Sequence, residues 1–231
     1  MTGADRQNAD QLMSWLWPRT IIFGVLLSIT FLALPQIDIW IASQLKADDG
    51  FLLSGTWAAY AQKKVIRWLT IICALAVIIG TVIVHLPNRQ HVFGMSKTDW
   101  RFLFSSLALG PGILVNTVLK EFWGRARPQY IQELGGEAEF TPPYVITNQC
   151  ESNCSFVSGD SAIAFWIMAI AFVLPTKWQR PALLAGFLFG LLISFFRMGQ
   201  GKHFTSDTLL AFVFVTLVSA ACWRLTRPKL R

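Results

Sequence analysis

Charged residues are scarce in this chain. Of its 231 residues, 14% are Asp, Glu, Lys or Arg and 54% are hydrophobic, whereas soluble domains have about 25% and about 45–50%. This composition argues against a water-soluble globular domain. The chain has ten tryptophans, and several stand near the ends of apolar runs, as is typical of residues at membrane–water interfaces. The composition therefore predicts an integral membrane protein.

Cysteines are also few, and they fall into two kinds. Cys73 and Cys222 lie within apolar runs, where a thiol behaves as a small hydrophobic group. Cys150 and Cys154 lie in a polar loop with no further Cys or His beside them, which is a poor pattern for a zinc site. A short disulfide between these two is expected if the loop faces an oxidising compartment; two free thiols are the alternative.

Six apolar segments have lengths near the roughly 20 residues that a helix needs to cross a bilayer. They are residues 19–35, 66–86, 102–119, 159–175, 182–196 and 204–223. These segments predict an all-α integral membrane bundle of six transmembrane helices over residues 19–223. No internal repeat is visible, so we expect the bundle to form one domain. A cytoplasmic segment, 1–18, precedes it and a basic cytoplasmic tail, 224–231, follows it. No small-residue cleavage pattern follows the first span, so we expect that span to be retained.

Six spans place both termini on one side. Five cations of the outer segments are assigned to an anion site: Lys120, Arg125, Arg127, Arg197 and Lys202. Without these five, Lys and Arg are in excess on the side of the termini, which indicates that the termini are cytoplasmic. The net charge of +7 is spread along the chain, so nucleic acid is not expected as a partner. On the outer side, segment 37–65 is predicted to form one or two interfacial amphipathic helices, with an irregular loop as the alternative.

Unusual polar residues gather in three segments that this topology brings to the outer face: 119–128, 157–161 and 197–207. Lys120, Arg127 and Arg197 could each be a topology marker whose stem reaches the interface. Together with Ser158 and Gly159 at a helix start they predict an anion cradle. Backbone N–H groups and the helix dipole attract an oxyanion there, and arginine forks match phosphate oxygens.

His203 and Asp207 stand four residues apart. On a helix, this spacing places both side chains on one face. The carboxylate could then hold one imidazole tautomer and stabilise the positive charge that forms when the other nitrogen attacks.

These residues form two spaced motifs. Lys120 and Arg127-Pro128 fit K-x6-R-P, and Arg197, His203 and Asp207 fit R-x5-H-x3-D. Their order, with Ser158-Gly159 between them, resembles the type 2 phosphatidic acid phosphatase (PAP2) superfamily, which includes bacterial membrane lipid phosphatases. The resemblance covers about residues 100–223.

The resemblance implies a phosphatase that removes phosphate from a lipid phosphate or lipid diphosphate at the outer leaflet, without a metal or other cofactor. In that reading His203 forms a phosphohistidine and Asp207 orients it. The phosphate is bound by Lys120, Arg127, Arg197 and the Ser158-Gly159 backbone. The expected location is the inner membrane of a bacterium, with the site facing the periplasm.

The chain departs from the family at the middle motif. The usual P-S-G-H reads Val157-Ser158-Gly159-Asp160 here, and Phe196 stands before Arg197 where Ser is usual. An aspartic acid is ordinarily ionised at neutral pH and is then a poor proton donor. We hypothesise that Asp160 nevertheless acts as general acid and then as base for water. The alternatives are a leaving group that needs little protonation, or Asp160 as a helix cap.

The sequence leaves the lipid open among phosphatidylglycerol phosphate, phosphatidic acid, undecaprenyl diphosphate and lipid A. The acidic loop 129–153 favours head groups with amines or sugar hydroxyls, such as lipid A, unless it is only a solvated loop. Transfer of phosphate between lipids and an inactive lipid-binding relative are the alternative functions. The oligomeric state is not indicated.

Overall fold

A computed structural model of the protein describes residues 2–227, and these form a helical bundle. The helices are α1 (Gly3–Ala33), α2 (Gln36–Gln44), α3 (Trp57–His85), α4 (Lys97–Leu107), α5 (Lys120–Phe122), α6 (Gly159–Trp166), α7 (Met168–Ala171), α8 (Thr176–Gly199) and α9 (Thr205–Thr226). A π-helical segment, Ala108–Leu119, joins α4 to α5, and short 3-10 turns cover Pro128–Tyr130 and Gln132–Leu134. Two antiparallel hairpins pair β1 (Lys46–Ala47) with β2 (Gly50–Phe51) and β3 (His91–Val92) with β4 (Met95–Ser96).

Five helices in the described part of the chain are long and apolar enough to cross a membrane. They are α1, α3, the continuous helix Lys97–Phe122, α8 and α9, and a shorter apolar helix covers Gly159–Ala171. The prediction of an all-α membrane bundle is confirmed, but the boundary 159–175 of the fourth span is wrong. At 1.5 Å per residue the shorter helix extends only about 20 Å, against the roughly 30 Å of a hydrocarbon core.

The short helix lies in the middle of the bundle. Helix α6 packs against α8 and α9, and all but one of its residues are buried. A Cβ atom on Gly190 of α8 would lie 2.1 Å from the Phe165 ring, so only glycine permits this approach of the two helices. Because protein surrounds α6, the thickness of the bilayer does not set its length.

Helix α1 begins at Gly3 rather than at residue 19, so no structural boundary separates 1–18 from 19–223. Thr2 and Asp5 form a capping box at its start, and Asp5 also accepts hydrogen bonds from the Thr176 backbone and hydroxyl at 2.7 Å. The first turns of α1 are rich in polar residues, but they also contain buried residues at helical spacing, which include Ala9, Met13 and Leu16. The interior-facing stripe makes the segment helical.

The first turns of α1 and the last described residues, up to Arg227, lie at the same end of the bundle, called the chain ends below. Asp10 of α1 accepts a hydrogen bond from the Trp223 indole at 2.8 Å, and Arg227 forms a buried ion pair with Asp99 at the start of α4. The predicted basic tail 224–231 therefore begins as the last turn of α9. Residues 228–231 of that tail lie outside the described residues.

Segment 37–65 contains one short helix, one hairpin and the start of α3. One or two interfacial amphipathic helices, or an irregular loop, were predicted here. Helix α2 forms in this segment, buries Asp38 and Ala42 and packs against α9. The chain between α2 and α3 forms the β1–β2 hairpin. Thr56 caps α3, its hydroxyl accepting from the Ala59 N–H.

Candidate active site

Four of the predicted site residues converge on one cavity, at the end of the bundle opposite the chain ends. The cavity has a volume of about 470 Å³ and includes Lys120, Arg127, Asp160 and Arg197 in its lining. These side chains come from the start of α5, the loop after it, the start of α6 and the end of α8. Convergence of the three predicted segments is therefore observed.

His203 lies in the loop before α9, because the helix begins only at Thr205. The expected helical pairing with Asp207 is thus wrong in detail: His203 Nδ1 lies 2.8 Å from the Ser155 carbonyl and 3.9 Å from Asp207 Oδ2. A carbonyl only accepts, so the proton sits on Nδ1 and the lone pair on Nε2. His203 Nε2 is buried and has no hydrogen-bond partner among the described residues.

The surroundings of His203 keep its imidazole neutral. Burial lowers the pKa of His203 to about 4, and the positive charges of Arg197 and Lys120 act in the same direction, while Asp207 opposes them. The neutral ring with a free Nε2 is the form that can act as a nucleophile.

Asp207 is held by a buried ion-pair network that the sequence did not reveal. Its carboxylate accepts hydrogen bonds from Arg125 at 2.6 Å, from the Ser155 hydroxyl at 2.6 Å and from the Phe204 N–H at 2.9 Å. The other arm of Arg125 binds Asp38 of α2 at 2.9 Å. Arg125 had been grouped with the anion-site cations, but it is fully buried in this network.

Ser158 and Gly159 were predicted to bind the anion through their backbone, and the structure bears on the first of them. The Ser158 N–H already donates to the Asp207 carbonyl at 3.2 Å, so Ser158 is not free to bind an anion through its backbone. A Cβ on residue 159 would lie 2.4 Å from Asn116 Oδ1 and 3.3 Å from Lys120 Nζ. Glycine there allows the start of α6 to approach Lys120 closely.

Asp160 forms an ion pair across the cavity. Its Oδ2 lies 3.3 Å from Arg197 Nε and 3.5 Å from Gln62 Nε2. Gln200 links the same groups, accepting from Arg197 and donating to Gln62, each at 2.9 Å. The cap of α6 is Ser158, whose hydroxyl accepts from the Ser161 N–H, so the interpretation of Asp160 as the helix cap is wrong.

An apolar groove adjoins this polar cavity. The groove has a volume of about 440 Å³, lies between α3 and the helix that continues from α4, and shares Thr70 and Asp160 with the cavity. Most of its remaining lining is apolar, with Val77, Ile78 and Phe104 among the residues. The two spaces together suit an amphiphile with an anionic head and an apolar body.

The loop that carries Ser155 is fastened beside the cavity. The Cys154 and Ser155 N–H groups donate to the Lys120 and Arg125 carbonyls at 3.1 and 2.9 Å, which aims the Ser155 carbonyl at His203. The sulfur atoms of Cys150 and Cys154 lie at bonding distance, with their Cα atoms 5.7 Å apart, within the range that a disulfide allows.

The match to known proteins agrees with this architecture. The model of the PAP2 superfamily matches residues 100–231, more than half of the chain, and the chain belongs to this superfamily. It is a multi-pass membrane phosphatase, a phosphoric monoester hydrolase.

Two of the relatives of this chain are both named lipid A 4′-phosphatase. The chain is 33% identical over 203 residues to the lipid A 4′-phosphatase of Francisella tularensis subsp. novicida (strain U112), covering 81% of this chain and 85% of that protein. It is 36% identical over 124 residues to the lipid A 4′-phosphatase of Rhizobium leguminosarum, covering 54% of this chain and 53% of that protein.

One solved structure has the same fold. It is the crystal structure of a transmembrane PAP2-type phosphatidylglycerolphosphate phosphatase from Bacillus subtilis, with a TM-score of 0.55 and 23% identity. The match covers 90% of this chain and 92% of that one.

Proposed function

We propose that this membrane lipid phosphatase removes a phosphate group from lipid A, at the 4′ position. The observation that carries this is a cavity rich in cations that adjoins an apolar groove between α3 and α4. Two of its cations, Arg197 and Lys120, act electrostatically on the buried His203. The groove offers a place for the acyl part of a lipid whose phosphate lies among the cations. The name of the Francisella relative supports lipid A as the lipid.

The first step of the proposed reaction transfers the phosphate to His203. Lys120, Arg127 and Arg197 bind the phosphate oxygens and stabilise the charge that spreads over them. The Nε2 lone pair forms the N–P bond as the bond from phosphorus to the sugar oxygen breaks. Asp207 and the Ser155 carbonyl hold the Nδ1 proton and stabilise the imidazolium-like intermediate.

Asp160 supplies the proton in this proposal. Its Oδ2 lies 3.3 Å from Arg197 Nε, so a phosphate bound by Arg197 lies close to the carboxyl group. Asp160 then protonates the departing sugar oxygen. In the second step, its carboxylate takes a proton from water, whose oxygen bonds to phosphorus as the N–P bond breaks, and inorganic phosphate leaves.

The proposed location is a bacterial inner membrane with cytoplasmic termini and a periplasmic site. The cavity lies at the end of the bundle opposite the chain ends, so cytoplasmic termini place it outside. The cations near the chain ends, which include Arg6, Lys177 and Arg224, support this orientation. An oxidising periplasm would also allow the proposed Cys150–Cys154 disulfide to persist.

The test is phosphate release by the purified protein in detergent. Lipid A carrying phosphates at positions 1 and 4′ is compared with phosphatidylglycerol phosphate, phosphatidic acid and undecaprenyl diphosphate, and mass spectrometry locates the lost phosphate. We expect release from the 4′ position of lipid A, and none from the His203→Ala variant. Preferential release from another lipid would contradict the substrate. Phosphate that appears on a second lipid instead of in solution would indicate a phosphotransferase.

A further inference from the structure

The cavity carries more positive charge than one phosphate needs. Among the residues that the structure describes, its lining includes six Lys and Arg side chains but one carboxylate, that of Asp160. A phosphate monoester carries about −1.5 to −2 charges near pH 7. The phosphate and Asp160 together therefore leave part of the positive charge uncompensated.

Three of the six cations are not at the specified positions of the two spaced motifs. Lys63 and Arg67 belong to α3, which precedes the residues 100–231 matched by the family model. They are four residues apart and so share one side of the helix, the side whose Ile66 and Thr70 also line the cavity. Lys202 is the third, directly before His203 in the chain.

Lys202 connects this second group to the first. Its pKa is lowered by burial and, after that, by the positive charges of Arg127, Arg197 and Lys63. Lys202 thus lies in the same cavity as the motif arginines and Lys63 and is electrostatically coupled to both. An anion in this position would relieve the repulsion among cations that the fold holds together.

We propose that Lys63, Arg67 and Lys202 form a second anion subsite, which binds a further phosphate or carboxylate of the same lipid molecule. The proposal rests on the proposed function, because it assumes that Lys120, Arg127 and Arg197 hold the phosphate that is removed. The preferred substrate is then a lipid with at least two anionic groups, and the second group contributes to binding rather than to chemistry.

The test compares two lipids that differ by one phosphate. Full-length protein in neutral detergent micelles is assayed with 4′-monophosphoryl and 1,4′-bisphosphoryl lipid A. The double variant Lys63→Ala/Arg67→Ala should lose about tenfold in kcat/KM on the bisphosphoryl lipid, mainly through KM, since each partly exposed charge pair is worth up to about fivefold. On the monophosphoryl lipid the loss should stay below about twofold.

Lys64→Ala is the matched control. Lys64 is the neighbour of Lys63, but its ammonium lies over the Tyr60 ring, 6.0 Å from the centroid, and it is not part of the cavity lining. It should change neither rate. Equal losses on both lipids in the double variant would mean general attraction of anions and would overturn the proposal, as would no loss on either.

A binding measurement keeps the subsite testable apart from the enzyme activity. The His203→Ala protein with an unchanged α3 should bind the bisphosphoryl lipid more tightly than the monophosphoryl lipid. Adding Lys63→Ala/Arg67→Ala to that protein should remove this preference. If the wild type hydrolyses neither lipid, the proposed function fails, while loss of the binding preference still supports the subsite. A preference that survives the double variant overturns it.

The source of the anion is tested in the same micelles. Added phosphatidylglycerol supplies an anionic group on a neighbouring molecule. Phosphatidylglycerol could increase the affinity for monophosphoryl lipid A by as much as the second phosphate of the bisphosphoryl lipid does. That result would contradict the assignment of the subsite to a group of the substrate molecule itself.

Discussion

At the scale of single residues, the most informative is His203. Its Nδ1 donates to the Ser155 carbonyl at 2.8 Å, and its Nε2 is buried without a partner in the described part of the chain. A backbone carbonyl cannot take up the proton, so this contact fixes the tautomer whatever the state of Asp207. Asp207 at 3.9 Å then serves mainly to balance the charge that forms on the ring.

The pH dependence of activity should reflect this burial. Because the pKa of His203 is lowered to about 4, the ring is neutral above that pH and gains a proton below it, which removes the Nε2 lone pair. The part of the acid limb of kcat/KM that His203 causes should therefore lie well below pH 6.5. A midpoint near 6.5, the value of a solvated imidazole, would contradict the account. His91→Ala, at an exposed histidine, should leave the limb in place.

Asp160 can be tested by two substitutions. Asp160→Asn keeps the shape but cannot transfer a proton, so kcat at neutral pH should fall by about 10²-fold with a smaller change in KM. Asp160→His, which installs the residue usual in the family, should recover part of the loss. An asparagine variant with nearly the wild-type rate would show that the leaving group departs without protonation.

The residues that could be found from sequence are those with fixed spacing. Lys120, Arg127, Arg197, His203 and Asp207 belong to two motifs, and the structure places them at one end of the bundle. Asp38 and Arg125 could not be found in this way, because a buried ion pair between residues 87 positions apart leaves no local pattern. In the sequence, Asp38 stands in an apolar and polar mixture that is typical of an interface.

At the scale of elements, α2 acts as a support for the site. Asp38 is fully buried and binds Arg125, and it also accepts from the Ser206 N–H at 2.9 Å. It thereby connects α2 to the first turn of α9. The Arg125 side chain lies over the Phe204 ring at 4.3 Å from its centroid, so the network closes around Asp207.

Removal of Asp38 should destabilise the protein strongly. Asp38→Ala leaves the Arg125 guanidinium buried without one of its two carboxylate partners, which costs about 3–5 kcal/mol. The thermal unfolding midpoint in detergent should fall by several degrees, and kcat should fall with it because Asp207 loses its support. Asp49→Ala, at an exposed carboxylate of the β1–β2 turn, is the control. Equal midpoints for the two variants would contradict the role of Asp38.

Helix boundaries were predicted less well than helix existence, and the reasons are physical. Apolar content marks the part of a helix that contacts lipid, so the predicted first span did not include the polar first turns of α1. These turns instead contact α8 and α9. The same content overestimated the fourth span, because the apolar residues 172–175 after α7 are not helical. Tertiary contacts, rather than composition, determine both ends.

At the scale of the whole molecule, the account requires that the chain ends and the cavity lie on opposite sides of the membrane. A cysteine-free variant with Asp49→Cys should react with a membrane-impermeant maleimide added to intact spheroplasts. Asp49 is in the β1–β2 hairpin, and the N–H of Leu53 just after that hairpin donates to the Gly199 carbonyl at the cavity end of α8. Lys177→Cys, at the other end, should react only after the membrane is permeabilised. The reverse pattern would mean that the site faces the cytoplasm.

The central claim is that His203 Nε2 takes the phosphate. The direct measurement is a rapid quench of the purified protein with lipid A labelled with ³²P at the 4′-phosphate, followed by peptide mapping. The account predicts a phosphoramidate on Nε2 of His203, stable to base, labile to acid and absent from His203→Ala, while Asp160→Asn should accumulate it if Asp160 activates water. Label on another residue, or phosphate release that persists in His203→Ala, would contradict it.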